Sequence, residues 1–283
     1  MFIIWGVGQV DYNHCMDEEE TKKLITKSKC IIDKLLEITH PLAQQYPDSK
    51  THFLKIFVGV YRRANHNLQA IRCLAEENHL ASSSYILTRS LIEDVISIEY
   101  MLITDKEVKA KKFQDYEWIQ SLDDATYFKK HHIDKADPDI KLAIEKVRSK
   151  ADAVRRQFIY NQKTGELNKS WDGLQVDGML EKITKEDPKD FVERDRKLIA
   201  RAYIIGNRKT HFNPIDIKTY LSQEFVRLDY LQSMRESLIM AIACYVRLTT
   251  RYRDAISHDA DENLYDDIAH KAVELLKSLD SAN

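Results

Sequence analysis

Charged side chains interrupt an otherwise apolar segment of this sequence, and they are the first candidates for chemistry. Arg89 and Glu93 stand four residues apart, with Asp94 beside them, in a stretch that is apolar on nearly every side of a helix. Such a helix is typical of the centre of a bundle, where an unpaired ion is strongly destabilising. The pattern predicts that Arg89 and Glu93 are largely buried and meet polar partners. Two interpretations stay open: an ion pair that staples the helix, or the lining of a polar pocket.

A second polar face is predicted on a later helix. Tyr203, Asn207 and His211 follow one another at steps of four residues, so their side chains share one face. The trio can bind a polar ligand, or it can form a satisfied polar seam between helices. Because buried polar groups are less costly when they meet, we expect this face to converge with Arg89 and Glu93 on one cavity. His211 and Glu93 are the candidate catalytic groups, since a histidine held by a carboxylate is a usable base near neutral pH.

The helical period is interrupted between these two helices. From Asn161 to Lys185 the sequence is rich in Gly, Asn and Asp around a single tryptophan, Trp171. This pattern predicts an irregular, non-helical insertion over 161–185, and loops of this length are often functional. We expect Trp171 to pack back onto the helical body and to contribute to the binding site, since a large indole gains little from facing water.

Three of these pieces together resemble a bacterial family known only as domain of unknown function 5677. They span about residues 80–215 and comprise Leu87-Thr-Arg-Ser-Leu-Ile-Glu93 with Tyr100-Met-Leu, the element Trp171-Asp-Gly173, and the face from Tyr203 to Phe212-Asn-Pro214. The resemblance implies a helical fold and a shared polar site built from Arg89, Glu93 and His211. It implies no known reaction. This chain departs from the family at Asn207, where a small hydroxyl residue is usual.

A different motif, Arg253-Asp-Ala-Ile-Ser-His258, resembles the R-x4-6-H signature of the HEPN helical ribonucleases. That resemblance implies a metal-independent ribonuclease of a toxin or phage-defence system, with RNA as partner and a homodimer as the usual assembly. His258 would act near the 2′-hydroxyl and Arg253 on the phosphate. So short a pattern also arises by chance, and Arg72 with His79 provides another match. The alternative interpretation of Arg253 and His258 is a solvated helix end.

The sequence predicts neither a bound metal nor a cofactor. Glu37-x-x-His40 and Glu76-x-x-His79 each reproduce half of a carboxylate-bridged di-iron pattern, but Glu37 and His40 lie on the polar face of their helix. A glycine-rich phosphate loop is not found. The four cysteines have no CxxC spacing, which favours reduced thiols.

The elements that must position these residues are predicted to be helices almost throughout. Seven glycines among 283 residues leave room for few tight turns, which favours long helices over a sandwich or a βαβ array. We predict an all-α multi-helix bundle forming one domain over 1–283, in which 1–16 is an apolar N-terminal strap. Helical spacing of apolar residues predicts helices at about 17–46, 51–78, 81–104, 106–132, 139–160, 189–210, 218–256 and 264–279.

Charge and hydropathy restrict the partners. A formal net charge of −2 provides no overall field that would attract nucleic acid or an anionic membrane. No stretch reaches the roughly 18 apolar residues of a spanning helix, so we expect a cytoplasmic protein with no membrane partner. The leading hypothesis is a binding or interaction role at the polar pocket, with a ligand or protein partner that the sequence does not identify. The alternative is the ribonuclease.

Overall fold

The computed structural model describes residues 17–44, 51–77, 80–131, 138–186, 226–256 and 262–279. Several predictions of the sequence lie outside these residues: the strap 1–16, the helix 189–210, and the side chains of Tyr203, Asn207, His211 and His258. Within the described residues the prediction of an all-α bundle is confirmed. The eight helices there are α1 (Glu18–Gln44), α2 (His52–Leu74), α3 (Ala81–Leu102), α4 (Lys106–Lys130), α5 (Pro138–Val154), α6 (Val176–Glu186), α7 (Val226–Ile256) and α8 (Glu262–Lys277).

Helix α3 lies at the centre and contacts α2, α4, α6 and α7. Its apolar side chains, such as Leu91, Ile92 and Val95, are almost completely buried, as its composition predicts. Helix α7 is equally central, because every residue over 237–250 is buried. The sequence predicts an amphipathic helix there. Small and hydroxyl residues within 237–250, such as Ala241, Ala243 and Thr249, allow neighbouring helices to pack closely around it instead.

Tyrosines and threonines satisfy one another inside this core. The Tyr61 and Tyr252 rings stack with centroids 4.4 Å apart, and the Tyr61 and Thr249 hydroxyls lie 3.1 Å apart. The Tyr245 and Thr39 hydroxyls lie 2.8 Å apart and join α7 to α1. Burial raises the pKa of Tyr252 to about 12. A satisfied polar network of this kind fixes the relative positions of α1, α2 and α7.

The segment after α5 differs from its prediction in two places. Helix α5 ends at Val154 rather than near residue 160, and a 3-10 turn (Arg155–Phe158) leads into a short hairpin. The strands of that hairpin, β1 (Ile159–Asn161) and β2 (Glu166–Leu167), are antiparallel, and Gly165 adopts a φ of 69° in the turn.

The prediction that all of 161–185 is non-helical is wrong for its second half, where α6 runs from Val176 to Glu186. Met179, Leu180 and Ile183 form its buried face and pack on α3. Gly178 and the polar residues around it hide this short apolar stripe in the sequence. Packing against α3 therefore stabilises a helix that local propensity alone does not favour.

Candidate functional site

A cleft of about 650 Å³ opens on one side of α3. Among the described residues its walls come from α2, α3, α4 and the segment 169–179. The floor is apolar and mostly buried, and it is formed by Ile56, Val60, Ile98, Met101, Phe113, Trp171 and Met179. Charged side chains stand around it, among them Lys55, Arg63, Glu93, Asp94 and Lys169. The cleft combines an apolar surface with a few polar groups, as small-molecule sites do.

The register of α2 and α3 sets the position of these side chains. The two helices are antiparallel neighbours, joined by a short connection. Asn67 donates to the Ser90 hydroxyl at 3.3 Å. Four residues away along each helix, Arg63 Nε donates to Asp94 Oδ2, also at 3.3 Å. One pair is therefore one turn from the other on both helices, and the register is fixed along the cleft.

Asp94 is the most strongly perturbed carboxylate of the cleft. Its side chain is only 2% exposed, whereas the Arg63 side chain that pairs with it is 58% exposed. Burial raises the pKa of Asp94 to about 6 although Arg63 opposes the shift. A carboxyl group with this pKa exchanges its proton close to neutral pH. Asp94, which borders the cleft, is thus a candidate for acid–base chemistry.

Arg89 and Glu93 are less buried than the sequence predicts. Arg89 Nε donates to Glu93 Oε1 at 3.0 Å, so the predicted pairing is present, but the two side chains are 21% and 37% exposed. They lie on the outer stripe of α3 with Ile86, which is itself exposed. The stripe faces outward at intervals of three to four residues, so this ion pair does not have to be buried. Glu93 borders the cleft, and Arg89 lies one turn away.

Trp171 packs onto the helical body as predicted. It is 6% exposed, and its ring centroid lies 5.7 Å from that of Tyr100 and 5.6 Å from that of Phe113. The Tyr100 hydroxyl donates to the carboxylate of Asp172. Gly173, with a φ of 74°, ends this element. Two of the three sequence pieces that resemble the family are therefore in direct contact beside the cleft.

Lysines surround this contact. Lys112 Nζ lies 2.6 Å from Asp172 Oδ1, and Lys109 Nζ lies 3.5 Å from the centre of the Tyr100 ring. Burial alone would raise the pKa of Asp172, but the hydrogen bonds from Lys112 and Tyr100 outweigh it and keep that pKa below its usual range. Burial lowers the pKa of Lys109 to about 8. The arrangement holds the insertion on α3 and α4 through charged hydrogen bonds.

A buried cluster of charged side chains lies deeper in the bundle, and sequence reasoning missed it. Glu99 of α3 accepts hydrogen bonds from Arg247 Nε at 2.5 Å and from Arg251 Nε at 2.9 Å. Glu99 and Arg247 are almost completely buried. A polar cavity of about 460 Å³ borders Glu99 and Arg251. In the sequence, only the position of Glu99 as a lone acidic residue in the mostly apolar segment 95–102 indicated this cluster.

Arg253, from the ribonuclease-like motif, makes intramolecular ion pairs. Its guanidinium lies 2.5 Å from Asp254 Oδ1 and 3.3 Å from Asp266 Oδ1 of α8. His258 lies outside the described residues, so the relation of the two motif residues stays a prediction. The contacts of Arg253 connect the end of α7 to α8, which is a structural role.

The described residues of the two metal-ligand patterns lie on the surface, and His79 lies outside the described residues. Glu37 and His40 are exposed on α1, and Glu76 pairs with Lys29 at 2.5 Å. Within the described residues, no group of three or more His, Cys, Asp or Glu side chains could hold a metal ion. A search of the same residues finds no helix with the length and apolar character needed to cross a membrane.

The fold and the cleft define a class of protein: an α-helical bundle with a partly apolar groove beside its central helix. The chain belongs to the family described as family of unknown function (DUF5677), whose model matches residues 54–225. This range contains nearly all of α2 and the whole of α3 to α6, and with them every wall of the cleft named above. Neither a search of curated proteins nor a search of solved structures finds a match.

Proposed function

We propose that this chain is a small-molecule-binding protein whose ligand occupies the cleft beside α3. The observation that carries the proposal is the combination of a floor of buried apolar side chains with the Asp94–Arg63 pair at its edge. Ligand sites are concave and largely apolar, with a few polar groups that orient the ligand.

The placement of the family's sequence pieces supports the same site. Glu93, at the end of the first piece, borders the cleft, and so does Trp171 of the second piece. Tyr100 contacts Trp171 from behind. The convergence of Tyr203, Asn207 and His211 on this site stays a prediction, as does a protein partner.

A cleft-filling substitution tests the proposal. Ser97 borders the cleft on the half-exposed side of α3, so Ser97→Trp should fill part of it without entering the core. Ser83→Trp is the matched control, because Ser83 is exposed on the same helix and is not part of the cleft. The probe is N-phenyl-1-naphthylamine, a neutral apolar dye that fluoresces when it leaves water.

The expected result is saturable dye binding to the wild type and to Ser83→Trp, and binding weakened by at least about tenfold, or 1.4 kcal/mol, in Ser97→Trp. Circular dichroism and thermal unfolding establish that both variants are folded. Equal affinities in all three proteins would overturn the proposal. The ribonuclease hypothesis stays a prediction, because the described contacts of Arg253 are ion pairs within the chain.

A further inference from the structure

We propose that the ligand of this cleft is a soluble organic anion with an apolar body, whose anionic group binds between Lys55 and Lys169. The inference rests on the proposed function and adds the chemical class of the ligand. It depends on three observations: the level at which the two lysines lie along α3, their exposure on the cleft lining without a salt bridge to a carboxylate among the described residues, and a neighbouring hydroxyl that finds no hydrogen-bond partner among those residues.

Both lysines lie at the same end of the cleft. The α2–α3 register pairs Arg63 with Asp94, so Ile56, seven residues before Arg63, lies level with Met101, seven residues after Asp94. Lys55 is therefore at the Met101 end. Lys169 is at this end as well, because Trp171, two residues on, packs against Tyr100. The Asp94–Arg63 pair stands at the opposite end, about 10 Å away at ~1.5 Å per residue.

Lysines outnumber acidic residues on the cleft lining at this end. Lys55 and Lys169 are exposed, and among the described residues neither lies within ion-pair distance of a carboxylate. Glu117 is the exposed acidic residue that borders the cleft from α4. The acids at the far end already have partners, since Glu93 pairs with Arg89 and Asp94 with Arg63. Glu166 of the hairpin also acts on Lys169 electrostatically, but it lies outside the cleft lining and accepts hydrogen bonds from Tyr160, Asn161 and Thr164. Within the lining, two lysines against one glutamate favour an anion at this end.

Ser170 adds a directional group next to Lys169. Its hydroxyl oxygen is inaccessible to solvent, and it has no hydrogen-bond partner in the part of the chain that the structure describes. A buried hydroxyl without a partner is destabilising, so such a group calls for an explanation in a native structure. An anionic oxygen held by Lys169 would accept a hydrogen bond from it. Ser170 also borders the cleft.

The floor determines the rest of the ligand. Met101, Ile98 and Met179 are buried beneath the cleft, and the apolar surface that a ligand can touch comes mainly from the half-buried Phe113, Leu174 and Val176. Such a surface accommodates an aromatic or aliphatic body of varied shape. The available length of about 10 Å suits a molecule the size of two fused rings with one substituent. A fully charged or highly hydroxylated molecule would have no apolar group to pack against these side chains.

A matched pair of dyes tests the charge. 1-Anilinonaphthalene-8-sulfonate has the same rings as N-phenyl-1-naphthylamine and adds only the sulfonate. The wild type should bind the sulfonate more tightly, and Lys55→Gln with Lys169→Gln should weaken that binding at least about tenfold while leaving the neutral dye within about twofold. Lys129→Gln with Lys130→Gln is the control, since both lysines are exposed on α4 and lie outside the cleft. Glu117→Gln should strengthen sulfonate binding.

The outcomes separate this inference from the proposed function. If both dyes bind equally and the cleft lysines do not matter, the anionic ligand is rejected but the cleft remains a binding site. If neither dye is sensitive to Ser97→Trp, both proposals fail. The competitors 1-naphthoate and 1-naphthyl phosphate distinguish a carboxylate from a phosphate group. Displacement of the sulfonate dye by either one supports the inference, and displacement by neither overturns it.

Discussion

The Tyr100 hydroxyl donates a hydrogen bond to the Asp172 carboxylate, and this contact joins the central helix to the insertion that closes the cleft. The same tyrosine ring supports Trp171, and Lys112 pairs with the other carboxylate oxygen of Asp172. One residue of α3 therefore holds both the apolar and the charged part of the insertion. The cleft is shaped by this contact as much as by the helices around it.

Tyr100→Phe should destabilise the protein by about 1.5–3 kcal/mol, because it removes a hydrogen bond to a charged group and keeps the ring that packs on Trp171. Tyr160→Phe is the control. Tyr160 donates to Glu166 at 2.7 Å but is exposed in the hairpin, so its loss should change stability far less than Tyr100→Phe does. Chemical denaturation measures both. Equal effects would mean that burial does not strengthen the Tyr100 contact.

Trp171 should report the integrity of the insertion. In a variant that combines Trp5→Phe and Trp118→Phe, Trp171 is the remaining tryptophan. Its fluorescence should be blue-shifted relative to that of the unfolded protein, since its indole is buried. Asp172→Ala should shift the emission to the red, because the contacts that hold the insertion are removed. An emission maximum that does not change on unfolding would contradict the packing.

The burial of Glu99 predicts the largest single effect in the core. Glu99→Ala should destabilise by about 3–5 kcal/mol, since removal of one partner from a buried ion pair leaves the charge of Arg247 poorly compensated. Asp267→Ala is the control, because Asp267 and Lys271 form an exposed pair at 2.6 Å, whose loss should cost less than about 1 kcal/mol. Urea unfolding of the two variants gives the comparison. A small effect at Glu99 would show that water or other groups replace the carboxylate.

The helices could be predicted from the sequence because their apolar residues recur at a helical period over many turns. Helices α1 to α4 begin and end within a few residues of their predicted limits. Helix α6 could not be predicted in this way, since its apolar stripe is short and the helix depends on packing against α3. The hairpin after α5 depends on a left-handed conformation of Gly165. A single glycine in a sequence does not predict such a turn.

The candidate site was predicted in part. Charges within the apolar helix α3 correctly indicated a polar feature, and Trp171 was correctly placed on the body. The sequence could not tell which charge faces inward, because Glu93 and Asp94 are adjacent and a rotation of about 100° separates their side chains. Asp94 is the buried one, and Arg63 from another helix is its partner. Contacts between helices decide this, and they have no signal in the spacing of a single segment.

The ribonuclease hypothesis makes a separate prediction. If Arg253 and His258 cleave RNA, then Arg253→Ala and His258→Ala should each abolish cleavage of a labelled RNA in the presence of a chelator. Because Arg253 pairs with Asp254 and Asp266, we expect instead that Arg253→Ala mainly loosens the α7–α8 contact, by less than about 1 kcal/mol. We expect wild type and His258→Ala to behave alike on RNA. Cleavage by the wild type that both variants lose would replace the binding proposal.

Asp94 should make the stability depend on pH. Its pKa in the folded protein is about 6, against an ordinary value of 3.8, so the folded state holds the proton more tightly than the unfolded state does. Protonation therefore favours folding. The contribution is fully present below the ordinary pKa and is lost as the pH rises through the folded pKa. A shift of about two pKa units corresponds to roughly 3 kcal/mol.

The comparison with Asp94→Asn isolates this contribution, because every other group titrates in both proteins. The free energy of unfolding of the wild type, taken relative to that of Asp94→Asn, should fall by roughly 2.5 kcal/mol between about pH 4 and pH 7. Urea unfolding at a series of pH values measures it, with Asp267→Asn as an exposed control whose curve should run parallel to that of the wild type. Parallel curves for Asp94→Asn and the wild type would contradict the raised pKa. A ligand that binds the cleft and contacts the Asp94–Arg63 pair should then shift the pH of this transition, because binding changes the environment in which Asp94 releases its proton.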